Sequence, residues 1–244
     1  MLGRSMLRGA VIIMTMLLLQ ITPTQAANKP PPSDAEREHL ADKMAAGFVT
    51  AIRKESKYWW ECGVPTPREQ WLPRAKTMAN ALLDALDEFN VKVNPWGPWG
   101  VIYHESRGNR CAVGPNPRKV AYRKGLIEQK QYYMWTEEEV LSVVNHRQWG
   151  KRVADLGLGQ VVWRRYARIK ENGRVRIPTA QEMLSVENGA RVLAYGMLQR
   201  QHYKNAREWK PMPWLFWPGS APDWDYGMTI SRIVKRMGGP AIRP

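Results

Sequence analysis

The sequence has few residues of the kinds that bind metal ions. Its 244 residues include two cysteines and four histidines, and their positions show none of the spacings typical of a structural zinc site. No internal repeat and almost no stretch of alternating polar and apolar residues is present, so the sequence does not favour a repeat architecture or a large sheet. We therefore expect no metal and no other cofactor, and a fold built mainly from helices.

Acidic residues are also scarce. The chain has 22 aspartates and glutamates against 37 lysines and arginines, and its formal net charge is +15. This balance is suited to an acidic partner, such as nucleic acid, anionic lipid or a carboxylate-rich cell-wall polymer, or it is only a solvated basic surface. No run of five like charges and no nucleic-acid-binding motif occurs, so we expect no nucleic-acid partner.

Residues 1–26 have the three parts of a secretory signal peptide. Two arginines precede an apolar stretch over residues 10–21, and small residues at the −3 and −1 positions favour cleavage after Ala26. The apolar stretch is shorter than the ~20 residues that a transmembrane helix needs. We therefore expect export to the periplasm or cell envelope, or secretion, with no stable membrane span after cleavage. Residues 27–34, which include "KPPP", predict an extended proline-rich linker.

The two cysteines, Cys62 and Cys111, both lie in the part of the chain that would be exported. Two cysteines in an oxidising compartment favour one disulfide, which would join the N-terminal helical region to the loop after residue 105. Two free buried thiols are the alternative.

Helical signals recur along the rest of the chain. Residues 35–66 predict an N-terminal helical extension with an apolar residue at every fourth position, capped by Ser33 or Asp34. Thr-x-x-Glu capping boxes occur at two further helix starts, and only "QVVW" and "VRIP" are candidates for strands. The other predicted helices cover residues 68–90, 137–149, 180–201 and 226–237. The segments 91–100 and 113–119 contain several prolines and glycines and predict loops.

Three segments occur in an order that resembles the soluble lytic transglycosylase (SLT) family. They are "HESRGNRCAVG" at 104–114, "DLGLGQV" at 155–161 and "SVENGARVLAYGML" at 185–198. Family members have a Glu-Ser turn ending in Ala-Val-Ser, then Gly-Leu-Met-Gln, then a helix bearing Tyr-Leu, and a Tyr-Asn-x-Gly turn that corresponds to residues 216–219 here. The resemblance implies a mainly α, lysozyme-like domain with long loops over residues 67–239, followed by a tail at 240–244.

By this resemblance, Glu105 is the catalytic acid/base of a peptidoglycan lytic transglycosylase. Cleavage of the MurNAc–GlcNAc β-1,4 bond needs an acid with a raised pKa, and an apolar helix end can raise the pKa of a carboxyl by desolvation. The 6-hydroxyl of muramic acid then attacks, so that one acid suffices and a 1,6-anhydro end is formed. The alternative is that Glu105 is an ordinary solvated helix-end residue. The resemblance further implies the substrate-binding residues, which are Ser106, Gln160, Tyr195, Phe216 and Trp217.

The chain departs from the family pattern at four positions. Gly114 replaces a serine, Gly159 replaces a methionine, and Phe216 and Trp217 replace the tyrosine and asparagine of the last turn. Two alternatives therefore stay open beside a monomeric lytic transglycosylase. One is a muramidase that adds water, with Asp155 or Asp223 as second carboxylate. The other is an inactive envelope protein that binds peptidoglycan.

Overall fold

The computed structural model describes residues 33–129, 131–146, 155–202, 212–217 and 222–242, which belong to one compact unit. The predicted signal peptide and most of the proline-rich linker lie outside the described residues. Helices dominate the described part, and no helix in it is both long and apolar enough to cross a membrane. The helices are α1 (Asp34–Glu55), α2 (Trp71–Glu88), α3 (Trp96–Ser106), α4 (Pro115–Arg123), α5 (Glu137–Val144), α6 (Trp163–Tyr166), α7 (Ala180–Met183), α8 (Val186–Gln201) and α9 (Trp224–Arg236).

Short strands pair as antiparallel hairpins. The strands are β1 (Trp59–Glu61) with β2 (Val64–Thr66), β3 (Asp155–Leu156) with β4 (Val161–Val162), and β5 (Ile169–Glu171) with β6 (Arg174–Arg176). Short 3₁₀ helices cover Arg68–Gln70, Tyr132–Met134 and Pro213–Phe216. The strand candidates "QVVW" and "VRIP" overlap β4 and β6.

The N-terminal region is part of the compact unit. Ser33 caps α1 in a capping box with Glu36, as expected, and α1 buries Met44 and Phe48 against the rest of the protein. The indole nitrogen of Trp99 donates to the backbone oxygen of Met44 at 3.0 Å. Contacts between residues therefore mark no boundary at residue 67, where the extension was expected to end.

The last part of the region expected as a helical extension, residues 59–66, is not helical and forms the β1–β2 hairpin. Cys62 and Gly63 have φ values of 46° and 82°. Two successive residues with positive φ form the tight turn whose twist matches that of paired strands. Cysteine rarely adopts positive φ, so the sequence signal for this turn is weak.

Helix α3 lies in the core and carries the predicted acid. It begins at Trp96, so the prediction of a loop over residues 91–100 is wrong for its second half. A Cβ at Gly97 would lie 2.3 Å from the Trp214 ring, and one at Gly100 would lie 2.8 Å from Ile230. The glycines that suggested a loop instead allow other elements to pack closely against a helix.

Two further helix boundaries differ from the sequence prediction. The loop expected over residues 113–119 is wrong from Pro115 onward, where α4 begins with Pro115 in its first turn, a position at which the missing N–H of proline is tolerated. The helix expected over residues 180–201 is divided into α7 and α8. Ser185 caps α8 by accepting a hydrogen bond from the backbone N–H of Asn188.

Candidate active site

Glu105 lies in the last turn of α3, at the edge of the core. Ile102 and Tyr103 are fully buried, His104 is exposed, and Glu105 itself is half-buried. The helix ends at Arg107, whose φ of 53° turns the chain away. The carboxyl group of Glu105 is therefore anchored by a rigid apolar helix and still faces an open side.

The hydroxyl of Tyr226 donates a hydrogen bond to Oε1 of Glu105 at 2.6 Å. Tyr226 belongs to the first turn of α9, which packs against α3. Its ring also meets the ring of His104 edge to face, with centroids 5.2 Å apart. The tyrosine thus fixes the orientation of the carboxyl group from the neighbouring helix.

Burial is the main influence on the Glu105 carboxyl and raises its pKa above the ordinary value. The hydrogen bond from Tyr226 favours the ionised form and lowers the pKa, whereas the charge of Asp155 raises it. Burial also raises the pKa of Asp155. The net effect is a carboxyl that keeps its proton to higher pH than an exposed glutamate does.

Asp155 is positioned by a strand contact with the segment that follows α3. Val113 forms a β-bridge with Leu156, and the N–H of Gly114 donates to the backbone oxygen of Asp155 at 2.9 Å. A Cβ at residue 114 would lie 2.6 Å from Oδ2 of Asp155. Glycine at 114, one of the departures from the family pattern, therefore makes room for the Asp155 side chain.

Asp223, the other candidate for a second carboxylate, has a different role. It is exposed and caps α9 by accepting a hydrogen bond from the N–H of Tyr226 at 2.9 Å. The carboxylate whose charge acts on Glu105 is Asp155. Asp223 instead stabilises the turn that carries Tyr226.

Ser106 is only 2% exposed and both of its hydrogen-bonding functions are used. Its hydroxyl donates to the oxygen of Ile102 at 3.0 Å and accepts from the N–H of Gly108 at 3.0 Å. The structure therefore places Ser106 as a support for the turn after Glu105, contrary to the expected contact with substrate.

Gln160 lies in the turn between β3 and β4, and Trp217 packs against the same turn. Gln160 is half-buried, has a φ of 49°, and donates from Nε2 to the oxygen of Gly157 at 3.3 Å. Trp217 is 7% exposed, and its indole N–H donates to the oxygen of Gly159 at 3.0 Å. A Cβ at Gly159 would lie 3.1 Å from the Trp217 ring, so these two departures from the family pattern fit each other. Trp217 supports the turn from behind, contrary to the expectation that it lines the site.

Two of the predicted substrate residues, Tyr195 and Phe216, have no described contact with Glu105. Tyr195 on α8 packs edge to face against Phe89, which directly follows α2, with centroids 5.5 Å apart. This contact directs the ring toward α2. Phe216 ends the 3₁₀ helix Pro213–Phe216, and its side chain lies outside the described part of the chain, as does residue 219 of the predicted turn.

The structure contains the expected disulfide between Cys62 and Cys111, with the Cα atoms 5.0 Å apart. It joins the β1–β2 turn to the segment that follows α3. A carboxylate oxygen of Glu137 lies near both sulfur atoms. Among the described residues, these three side chains form the one group of three potential metal ligands. Because both sulfurs are bonded to each other, neither is available as a thiolate ligand.

Tyr226 is the site residue that the sequence interpretation missed. It was counted only as the first residue of a helix, 121 positions after Glu105. The only sequence signal was indirect, since Phe216 has no hydroxyl at a position where the resemblance implies a tyrosine. The arrangement provides a positioned carboxyl that can donate and recover a proton, and the charge of Asp155 acts on it. Searches against protein-family models, curated proteins and solved structures find no match to this chain.

Proposed function

We propose that this chain is an exported, monomeric peptidoglycan lytic transglycosylase of the SLT family with a lysozyme-like fold. The observation that carries the proposal is Glu105, held by the Tyr226 hydroxyl at a half-buried helix end where burial raises its pKa. A general acid for glycosidic cleavage needs these two properties, a fixed orientation and a proton retained near neutral pH.

In this mechanism Glu105 acts twice. The protonated carboxyl first donates its proton to the glycosidic oxygen, and the C1–O bond breaks to give an oxocarbenium-like centre. The ionised carboxylate then accepts the proton of the muramic acid 6-hydroxyl as that oxygen bonds to C1. The products are a new 4-hydroxyl on one strand and a 1,6-anhydro ring on the other, and Glu105 is again protonated.

Tyr226 supports both halves of this cycle. Its hydroxyl donates to Oε1 of Glu105 and so leaves the other carboxyl oxygen, Oε2, for the proton that is transferred. The hydrogen bond also stabilises the carboxylate after proton donation. The proposed role of Tyr226 is that of the family's tyrosine, supplied here from α9 in place of residue 216.

The position of Asp155 favours a second candidate, a muramidase. Asp155 is half-buried and its charge acts on Glu105, as expected for the second carboxylate of a glycosidase. In that reaction Asp155 would attack C1 or activate water, and the product would have a reducing end. For a lytic transglycosylase, Asp155 would act only through its charge.

The charge and the disulfide support the proposed location and partner. A net charge of +15 attracts a polymer that carries peptide carboxylates, and a disulfide is stable in an oxidising compartment outside the cytosol. A cell-wall substrate in the periplasm or envelope meets both conditions.

The test is mass spectrometry of soluble products from purified sacculi incubated with residues 27–244. Anhydro-muropeptides from wild type and Asp155→Asn, but not from Glu105→Gln, are the expected result. Reducing-end products that disappear in both variants would replace the proposal with the muramidase. No products from wild-type protein that still sediments with sacculi would replace it with an inactive wall-binding protein.

A further inference from the structure

A cavity of about 540 Å³ lies between the end of α1, strand β1 and the 3₁₀ helix Tyr132–Met134. This volume is within the ~300–1,000 Å³ typical of small-molecule sites. We call it the hairpin pocket, defined by Tyr58, Trp60, Tyr133, Asn109 and Arg107 together with their neighbours. Nothing in the proposed mechanism uses it.

The wall of the hairpin pocket is aromatic. The rings of Tyr58 and Trp60 have centroids 6.2 Å apart, and those of Trp60 and Tyr133 are 5.5 Å apart. Tyr58 is 59% exposed, which is high for a large aromatic side chain. Such adjacent rings offer flat apolar faces of the kind on which a pyranose ring packs.

One polar group lining the hairpin pocket is unsatisfied. Asn109 is 2% exposed, and its Oδ1 accepts hydrogen bonds from the N–H groups of Cys62 and Cys111, at 3.2 and 3.0 Å. These two donors fix the amide orientation, so that Nδ2 must face the other way. Nδ2 is buried and has no partner among the described residues. A buried donor without a partner is costly, and a carbonyl oxygen would satisfy it.

Charged groups at the rim are held in place. The carboxylate of Glu55 is bound by Arg107 at 3.1 Å and by Arg236 at 2.5 Å. Because Glu55 and Arg107 both line the pocket, it presents an acceptor and a donor of fixed geometry. Neighbouring hydroxyl groups of a sugar match such a pair, since each hydroxyl both donates and accepts.

The hairpin pocket is separate from the reacting carboxyl. Ser106 and Arg107 line it, but Glu105 does not. Glu105 faces Tyr226 and Asp155, whereas Arg107 turns toward Glu55 at the end of α1. A ligand in the pocket therefore occupies a place beside the catalytic helix end without touching the acid.

We propose that the hairpin pocket is a second sugar-binding site, which takes one N-acetylated hexosamine unit of a glycan. The pyranose ring packs on Tyr58 and Trp60, and the acetamido carbonyl accepts from Nδ2 of Asn109. The choice of an amino sugar rests on the proposed function, while the aromatic wall and the unpaired amide donor do not. The site would hold a glycan strand of the cell wall on the protein while Glu105 acts on another bond of that strand.

The probes are chitotetraose and cellotetraose, which differ in the acetamido group. Binding is measured by calorimetry on residues 27–244 carrying Glu105→Gln, with the Trp60 indole N–H followed by NMR. We expect chitotetraose to shift the Trp60 signal, and Tyr58→Ala to weaken this binding roughly tenfold while Tyr58→Phe retains it. Cellotetraose should bind roughly tenfold more weakly than chitotetraose, because it cannot satisfy Asn109.

Val64→Ala is the matched control, since Val64 is 63% exposed on the same hairpin but does not line the pocket. It should leave affinity unchanged, and circular dichroism confirms that each variant is folded. Chitotetraose binding that Tyr58→Ala does not weaken would overturn the proposal. So would a Trp60 signal that is shifted only by a proline-rich peptide or by a peptide of the kind attached to cell-wall glycan. Because no step depends on Glu105, failure of the sacculus assay leaves this test intact.

Discussion

At the scale of single residues, the site depends on contacts between side chains that are distant in sequence. The hydroxyl of Tyr226 lies 2.6 Å from Oε1 of Glu105 and fixes the orientation of that carboxyl group. Gly114 lacks a side chain, and Asp155 occupies the space that one would fill. The geometry around Glu105 and Asp155 therefore depends on residues that lie far from them in the sequence.

Tyr226→Phe should reduce kcat roughly tenfold, because the carboxyl of Glu105 loses its fixed orientation. It should also shift the alkaline limb of the pH–activity profile to higher pH. The hydrogen bond stabilises the ionised carboxylate and so lowers the pKa of Glu105, and its removal lets that pKa rise. A pH profile of sacculus solubilisation measures both effects; an alkaline limb that moves to lower pH would contradict this role for Tyr226.

Glu105→Gln should stabilise the fold at neutral pH while abolishing activity. Folding raises the pKa of Glu105 above its usual value of 4.5, so the folded state is penalised once the carboxyl ionises as pH rises through the raised pKa. Below the usual value both states are protonated and the penalty is absent. We expect Glu105→Gln to have a higher thermal unfolding midpoint than wild type at pH 7, and no such difference at pH ~3.5.

Thermal unfolding of both proteins at the two pH values measures this difference. Asp225→Asn is a suitable control, because Asp225 is an exposed carboxyl in the first turn of α9. An equal gain from Glu105→Gln at both pH values would show that ionisation of Glu105 is not the cause.

At the scale of elements, signals between near neighbours predicted helix starts well. Both Thr-x-x-Glu boxes are confirmed, at Thr136 with Glu139 and at Thr179 with Glu182. Predictions of loops failed where glycine occurs, because glycine is common both in loops and at close contacts of helices. Glycines that suggested a loop lie inside α3 because they meet Trp214 and Ile230. The Asn172–Gly173 turn of the β5–β6 hairpin, with φ values of 49° and 77°, is a recognisable signal that was overlooked.

Thr179→Ala should lower the free energy of unfolding by about 1 kcal/mol. Its hydroxyl accepts from the N–H of Glu182 at 3.1 Å, and alanine leaves this N–H without its capping partner. Urea denaturation measures the loss, with Thr179→Ser as the matched control because serine keeps the capping oxygen. Equal losses in both variants would mean that the methyl group of Thr179, and not its hydroxyl, is responsible.

At the scale of the whole molecule, the disulfide and the ion pairs of Glu55 join parts that are distant in sequence. Cys62 and Cys111 are 49 positions apart, and Glu55 links α1 to Arg107 and to α9 through Arg236. These connections hold the β1–β2 hairpin against the C-terminal end of α3. Both the hairpin pocket and the position of Glu105 therefore depend on the disulfide and on the ion pairs of Glu55.

Replacing both cysteines by alanine should cost roughly 2–4 kcal/mol of stability, because the open chain gains entropy when the crosslink is removed. Chitotetraose binding should also weaken, since Asn109 loses its fixed partners on the two cysteine backbones. Chemical denaturation with and without reductant measures the first effect. Wild-type protein whose stability does not change on reduction would contradict it.

The sequence by itself determined the helical class, the caps and the disulfide partners, because these follow from residue types, from spacings of three or four residues, or from a count of two cysteines. Glu105 was selected by its resemblance to a family motif. Tertiary structure alone decided that Tyr226 holds this acid, that Asp155 lies beside it, and that Ser106 and Trp217 face inward. Such pairings depend on how distant elements pack, since burial and close approach are properties of the folded molecule and not of neighbouring residues in the chain.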